Sequence, residues 1–214
     1  MPRKIDLITE LYRRTVKKIT SDSLAWKTFL RSAAYQYKYP FADQVLIYAQ
    51  RPNAVACAET QLWNSRFGRW IKRGATGIAL IEERGERSSL RYVFDVGDTH
   101  HRGNIPFELW TFKRDYEADI IESLQNRFLD GEPADIGIIE AVMSACTNLT
   151  RENISDYLRE LIFAKEGSYL EELDEDNLRV RFLATVQASV AYTVFSRIGY
   201  DADSLVENES FEWV

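Results

Sequence analysis

The chain has 214 residues, of which 45% are hydrophobic and 28% are charged, proportions typical of a globular protein. No apolar run reaches about 18 residues, and the first residues mix acids with bases, so we expect no transmembrane helix, no membrane partner and no signal peptide. The two cysteines, Cys57 and Cys146, lie far apart among apolar neighbours, which indicates free thiols in a reducing compartment rather than a disulfide or a metal pair. We therefore expect a cytoplasmic protein.

The charge is distributed unevenly along the chain. Residues 1–84 carry 15 Lys and Arg against 7 Asp and Glu, a net charge of +8, whereas residues 85–214 carry 12 against 26, a net charge of −14. A basic front half indicates an anionic partner there, and an acidic back half argues against nucleic acid wrapped around the whole molecule. The alternative is that surface charge simply varies along the chain.

Apolar periodicity predicts four helices in the first part of the chain. Residues 4–19 place an apolar side chain every three to four positions, and a second helix follows that ends before Pro40. A third helix is predicted over residues 41–50. A short fourth helix is predicted over residues 59–66, with Gly68 as its C-terminal stop.

The next segments have the character of strands. Residues 78–81 and 90–96 are apolar and rich in β-formers, and a charged hairpin loop joins them. Residues 97–106 are predicted to be a loop. Residues 109–112 are predicted to form a last strand.

From about residue 114 the chain becomes helical and acidic. Helices are predicted over residues 116–129, over residues 135–146, after Thr150 and over residues 177–198, the last closed by Gly199. The predicted class is α+β, with a small antiparallel sheet and helices in the N-terminal half followed by an all-helical C-terminal half. The expected domains are residues 1–112 and 113–214.

Polar and aromatic side chains recur on one face of the third predicted helix. At about 100° per residue, Gln44, Tyr48 and Arg51 lie opposite the apolar stripe. An amide, a ring and a guanidinium in a line suit nucleic acid, because the ring stacks on bases and the guanidinium binds phosphate oxygens. An ordinary solvated face with an amphipathic tyrosine would show the same pattern.

A basic and aromatic run follows the fourth predicted helix. In an extended segment Arg69, Ile71 and Arg73 point one way, while Trp70 and Lys72 point the other. Interleaved cations and rings indicate binding of a nucleic-acid strand. The glycines that follow belong to no Walker or dinucleotide motif, so no mononucleotide pocket is expected.

The motifs of enzymes and metal sites are missing from the sequence. His100 and His101 are the only histidines and are adjacent in a predicted loop. HExxH, paired cysteines and a nucleophile elbow do not occur, and no pair of carboxylates can be assigned as acid and base without geometry. We therefore expect no enzymatic activity, no metal and no cofactor.

Three segments carry a resemblance to a known group of proteins: YPFADQVLIYAQRPNA, LWNSRFGRWIKRGATGIALI and LRYVFDVGDT. They look like the N-terminal region of very large proteins of conjugative elements in Gram-positive gut bacteria, where this region precedes helicase-like and methylase-like domains. ENISDYL and GSYLEELDEDN in the helical half look like the same region, so the resemblance covers nearly the whole chain. The helicase and methylase parts do not occur here, and their activities are not carried over.

More distantly, residues 24–81 resemble the N-terminal single-stranded-DNA-binding domain of ArdC-type antirestriction proteins. An aromatic-rich helix, a tryptophan segment and a [KR][KR]G-x-x-G-I motif recur there, and the motif falls on residues 72–78 here. The C-terminal metalloprotease-like domain of that family, with its HExxH, has no counterpart in this chain. The resemblance implies an α+β module that binds single-stranded DNA and serves a mobile genetic element in transfer or in evasion of host defence.

Three functions follow as hypotheses. The first is a non-enzymatic single-stranded-DNA-binding module for conjugation or antirestriction. The second is a protein inhibitor of a host nuclease, a restriction enzyme or a CRISPR effector, in which the acidic half imitates DNA. The third is a scaffold domain that contacts other parts of a longer conjugative-element protein. Under the first hypothesis the nucleic-acid-binding residues are Gln44, Tyr48, Arg51, Trp63, Phe67, Arg69, Trp70, Lys72 and Arg73.

Overall fold

The computed structural model describes residues 2–85, 87–103, 105–129, 135–167, 170–212 and 214. The chain forms two compact units, Met1–Trp110 and Thr111–Val214. The first unit combines helices with antiparallel strands and the second is helical. The predicted α+β class, with the sheet in the N-terminal half, is therefore confirmed.

The described part of the N-terminal unit contains four helices and five strands. The helices are α1 (Lys4–Ile19), α2 (Ser23–Ala33), α3 (Phe41–Gln50) and α4 (Thr60–Phe67). The strands are β1 (Cys57–Ala58), β2 (Arg69–Ile71), β3 (Ile78–Arg84), β4 (Arg87–Asp95) and β5 (Thr99–His101). The predicted bounds of α1 and α3 are confirmed. In contrast, α2 is shorter than predicted, because a turn occupies residues 34–40.

The strands form two separate antiparallel arrangements. A three-stranded sheet has the order β1–β4–β3, and β2 pairs with β5 in a two-stranded ribbon. The β3–β4 hairpin is longer than predicted, since Glu82 pairs with Ser89 and Glu83 with Ser88. Charged side chains extend the hairpin without an apolar pattern, which explains why the sequence indicated a loop there.

The core of the N-terminal unit lies between α3 and the three-stranded sheet. Leu46 and Ile47 of α3 pack against Ile78, Leu80 and Val93 of the hairpin, and each of the five is at most 2% exposed. Burying side chains of this size contributes about 1.5–3 kcal/mol each. This cluster fixes α3 against the sheet and so fixes the loop that follows α3.

Gln50, the last residue of α3, joins the helix to the edge of the sheet. Its side-chain oxygen accepts the backbone N–H of Ala79 at 2.9 Å, and its amide nitrogen donates to the Ala79 carbonyl at 2.9 Å. The same nitrogen donates to the carbonyl of Leu46 at 2.9 Å. Because β3 is an edge strand, the amide satisfies backbone groups that β4 cannot reach.

Two predictions for residues 97–112 are wrong. Thr99–His101 form β5 where a loop was predicted, because they pair with Arg69–Ile71 rather than with a neighbour in sequence. Residues 109–112 are irregular rather than a strand. A strand of three residues has too little periodicity to be recognised without its partner.

The C-terminal unit is built from α5 (Glu117–Phe128), α6 (Ile138–Ala164), α7 (Glu175–Ile198) and α8 (Ala202–Leu205). The predicted break at Thr150 is wrong, since α6 runs through it and the threonine hydroxyl donates to the carbonyl of Cys146 at 2.7 Å. Tyr192 and Phe195 of α7 form the buried centre together with Phe211. No described helix has both the length and the apolar character needed to cross a bilayer.

Candidate nucleic-acid interface

The β2–β5 ribbon brings rings and cations together on one face. Trp70 pairs with His100 in the antiparallel register, and residues directly opposite one another share a face. Lys72 and Arg102 each directly follow one of the strands, and continued alternation would place both on this side. The guanidinium carbon of Arg102 lies 4.4 Å from the centroid of the Trp70 ring. Arg73 is exposed in the turn just beyond Lys72.

We call this surface the ribbon face and define it as Trp70, Lys72, His100 and Arg102 on this side of the ribbon, together with Arg73 in the turn that follows. Trp70 is half-buried and the other four side chains are exposed. A tryptophan stacked against a guanidinium offers an aromatic plane with cations around it. Planar bases and anionic phosphates are the groups that such a surface can bind.

The ribbon is held in place by a buried carboxylate. Asp95 is 7% exposed and accepts the backbone N–H groups of Val55 at 2.9 Å, Ala56 at 3.1 Å and Gly97 at 2.9 Å. Each charge-assisted bond to a backbone N–H is stronger than a neutral one. Asp95 therefore ties the turn before β5 to the loop that follows α3.

Lys72 also takes part in fixing the ribbon. Its backbone N–H donates to the carbonyl of Asp98 at 2.8 Å, and its Nζ donates to the carbonyl of Gly97 at 2.8 Å. The Lys72 side chain is exposed, and the partner of its Nζ is a neutral carbonyl. A phosphate can therefore bind it without displacing a counter-charge.

Arg69 lies on the opposite side of the ribbon and has a structural role. Its Nε donates to the Thr99 hydroxyl at 2.7 Å, and its Nη1 donates to the carbonyl of Ile105 at 3.0 Å. Its guanidinium also lies 5.9 Å from the Phe107 ring centroid. The assignment of Arg69 to phosphate binding is therefore corrected, because its donors already bind the protein.

Trp63 belongs to the core, which corrects its assignment as a stacking residue. It is 1% exposed and its indole N–H donates to the carbonyl of Phe94 at 2.8 Å. Phe67 is 39% exposed, but its ring packs 5.3 Å from that of Trp63 and 5.4 Å from that of Phe107. Helical spacing could not separate these rings from exposed ones, because Phe94 and Phe107, which contact them, lie about 30 to 40 residues further along the chain.

The polar stripe of α3 is mostly occupied by contacts within the protein. The amide nitrogen of Gln44 donates to the carbonyls of Tyr39 at 2.8 Å and Gln36 at 3.2 Å, so its assignment to base binding is corrected. The Tyr48 ring packs edge-on against Phe29 with centroids 5.6 Å apart and is half-buried.

Arg51, the last member of that stripe, is paired with an acid. Its Nη1 lies 3.0 Å from Asp98 Oδ1, and the hydrogen bond to this carboxylate raises the pKa of Arg51. The pair joins the end of α3 to the turn before β5. Arg51 thus positions the ribbon, and a phosphate would have to compete with Asp98 for it.

Two residues of the ribbon face, His100 and Arg102, were not among the predicted site residues. His100 lies in β5 and Arg102 directly follows that strand, in a segment whose sequence predicts a polar loop. Only the register with β2 shows that they flank Trp70. Two histidines and an arginine in a segment without apolar residues were the one signal available.

Arg91 lies at the centre of a second polar cluster, in which one guanidinium contacts two carboxylates. It forms an ion pair with the buried Asp43, and its Nη1 lies 3.5 Å from Glu59 Oε1. Burial raises the pKa of Asp43, although the charge of Arg91 opposes that shift. Arg91, Glu59 and Tyr39 line an adjoining groove of about 350 Å³. Among the described residues, no three His, Cys, Asp or Glu side chains come together to hold a metal ion.

Comparison with known proteins identifies no relative. No family, no curated protein and no solved structure matches the chain. The resemblance to conjugative-element and ArdC-type proteins therefore stays a prediction from the motifs. The geometry of the N-terminal unit carries the functional proposal.

Proposed function

We propose that the N-terminal unit binds single-stranded DNA without catalysing a reaction, and that it serves a mobile genetic element in conjugative transfer or antirestriction. The observation that carries the proposal is the ribbon face, where the Arg102 guanidinium lies over the Trp70 ring and His100 is opposite Trp70 in the register. The exposed cations Lys72 and Arg73 directly follow β2. The role in a mobile element rests on the motif resemblance alone.

The composition of the unit supports a polyanionic ligand. Residues 1–110 carry 18 Lys and Arg against 11 Asp and Glu, a net charge of +7, and residues 111–214 carry 9 against 22, a net charge of −13. Positive charge draws a strand to the N-terminal unit and makes binding depend on salt. The exposed cations of the ribbon face would contact phosphates.

The exposed ring favours a single strand over a duplex. A base can stack on Trp70 only if its own plane is open, which duplex pairing prevents. Stacking on an aromatic side chain is worth about 1–3 kcal/mol per base and depends little on the sequence. The ribbon face should therefore prefer unpaired DNA and read its bases weakly.

Fluorescence anisotropy with a labelled strand of about 20 nucleotides tests the proposal. We expect Trp70→Ala to weaken binding about 5- to 150-fold. The triple variant Lys72→Ala, Arg73→Ala, Arg102→Ala should reduce the slope of log affinity against log salt by about 2, measured between about 50 and 200 mM. A duplex of the same length should bind more weakly.

A triple variant on α1 provides the matched control. Arg14, Lys17 and Lys18 are exposed, and their replacement by Ala removes the same charge from the same unit. If the α1 variant weakens binding as much as the ribbon variant does, the attraction is diffuse and the ribbon face is not the site. Absence of binding at low salt would overturn the whole proposal.

The −13 charge of residues 111–214 supports a second candidate, inhibition of a DNA-binding host nuclease by an acidic decoy. Charge reversal separates the two functions. Reversal of acids in the C-terminal unit should abolish nuclease inhibition, and reversal of Lys72 and Arg73 should abolish strand binding.

A further inference from the structure

A second group of exposed rings lies in the turn between α2 and α3. Tyr35 is 40% exposed, Tyr37 is 58% exposed and Phe41 is 47% exposed. Lys38 lies between them, and its Nζ is 5.7 Å from the Tyr37 ring centroid. We call these four residues the tyrosine turn. A cation beside an aromatic ring is also the arrangement of Arg102 and Trp70 on the ribbon face.

The backbone of this turn is firmly held, so its rings are displayed from a fixed base. Gln36 is 2% exposed, and its amide nitrogen donates to the carbonyl of Ala54 at 3.0 Å. The Tyr39 hydroxyl donates to the carbonyl of Cys57 at 2.8 Å, and Gln44 donates to the carbonyl of Tyr39 at 2.8 Å. A rigid turn that exposes three rings favours ligand binding, because little ordering entropy is lost when a ligand arrives.

The tyrosine turn and the ribbon are anchored to the same segment. Within residues 54–57, two backbone carbonyls accept hydrogen bonds from the side chains of Gln36 and Tyr39 in the turn. Two backbone N–H groups of the same segment donate to the Asp95 carboxylate that fixes the ribbon. Helix α3 also connects them, since it starts at Phe41 and is followed by Arg51, which pairs with Asp98. The N-terminal unit therefore holds both surfaces in one fixed arrangement.

Their separation suits a short stretch of DNA. The two surfaces are attached to opposite ends of α3, whose ten residues span about 15 Å. A stacked strand advances about 3.4 Å per nucleotide, so the length of α3 alone corresponds to about four to five nucleotides. This length lies within the range known for strand-binding domains, about 4–16 nucleotides.

We propose that a DNA strand bound at the ribbon face continues to the tyrosine turn, where Tyr37 stacks on a second base and Lys38 contacts phosphate. This inference rests on the proposed function. It adds a length threshold: strands too short to reach from one surface to the other gain nothing from the turn.

The test is the affinity for oligothymidines of about 4, 8 and 16 nucleotides, measured with the full chain and its variants. Tyr37→Ala should weaken binding of the 16-mer about 5- to 150-fold and leave binding of the 4-mer unchanged. Trp70→Ala should weaken binding at every length. Tyr116→Ala is the control, because this tyrosine of the C-terminal unit is 57% exposed, as Tyr37 is 58% exposed.

The outcomes separate the two proposals. If Trp70→Ala weakens binding and Tyr37→Ala has no effect at any length, the tyrosine turn is not part of the site and the ribbon face stands. If Tyr37→Ala weakens the 4-mer as much as the 16-mer, there is no length threshold and the two-surface arrangement is wrong. If the chain binds no strand, both proposals fail. Thermal unfolding of each variant shows that the substitutions leave the fold intact.

Discussion

Replacing Gln50 with alanine should destabilise the N-terminal unit more than the same replacement of an ordinary surface glutamine would. The side chain makes three hydrogen bonds of 2.9 Å, two of them to the N–H and the carbonyl of Ala79. Ala79 is 3% exposed and lies on edge strand β3. Removal of the amide leaves both backbone groups without their partner.

The magnitude follows from the number of orphaned groups. Each buried polar group without a partner costs about 1–3 kcal/mol, so the two groups of Ala79 give about 2–6 kcal/mol. Gln50 is itself half-buried, and water can partly replace its side chain. We therefore expect the free energy of unfolding to fall by about 2–3 kcal/mol, a large part of the 5–15 kcal/mol typical of a domain.

Urea unfolding followed by tryptophan fluorescence measures this loss in the relevant unit, because Trp26, Trp63, Trp70 and Trp110 all belong to it. With a slope of about 2 kcal/mol per molar, the midpoint should fall by about 1–1.5 M.

Two further variants sharpen the test. Gln50→Glu keeps an acceptor for the Ala79 N–H but removes the donors, so it should destabilise the unit at least as much as Gln50→Ala. Gln61→Ala, at an exposed position of α4, should change the free energy of unfolding by less than about 0.5 kcal/mol. If Gln50→Ala has as little effect as Gln61→Ala, the edge of β3 is satisfied in another way and the reasoning is wrong.

Three other predictions concern the support of the site and the thiols. Asp95→Ala should lower the free energy of unfolding by about 3 kcal/mol or more in urea, and weaken strand binding, because three backbone N–H groups lose their acceptor. Gly68→Ala should cost about 1–2 kcal/mol, seen as a lower Tm, because φ is +59° and a Cβ would lie 3.3 Å from the His101 ring. Burial raises the pKa of Cys57 to about 12 and that of Cys146 to about 11, so the folded chain keeps protons that the unfolded chain loses. Stability should therefore fall as the pH rises above about 9, and iodoacetamide should react slowly at about pH 8 until urea is added.

Local signals in the sequence were sufficient for the long helices and for the fold class. The apolar spacing over Lys4–Ile19 and the proline before Phe41–Gln50 are properties of a single segment, and both helices have their predicted bounds. The predicted helix break at Thr150 was wrong because a threonine caps a helix only where its hydroxyl has no acceptor in the preceding turn. Inside α6 the hydroxyl bonds back to the preceding turn, and the helix continues.

The candidate site was predictable only in part, because a side chain is exposed or buried according to elements far away in sequence. Trp63 and Trp70 occur in similar basic and aromatic surroundings, yet Trp63 is covered by the strand that contains Phe94. Trp70 is half-exposed because β5 pairs beside it and not over it. Arg102 could not be assigned without that pairing. Composition identified the region, and tertiary contacts decided which residues face the solvent.

The ribbon also has a consequence for how the protein is made. The contact of Arg69 with Thr99 closes a loop of 30 residues, and the contact of Val55 with Asp95 closes one of 40 residues. Such non-local contacts form late, because loop-closure entropy is lost before they contribute. During synthesis at about 5–20 residues per second, helices α1 to α3 can form while the other strand of the ribbon is still inside the ribosome. The nascent chain therefore acquires its helical surface first, and the Trp70 face only once residue 102 has emerged.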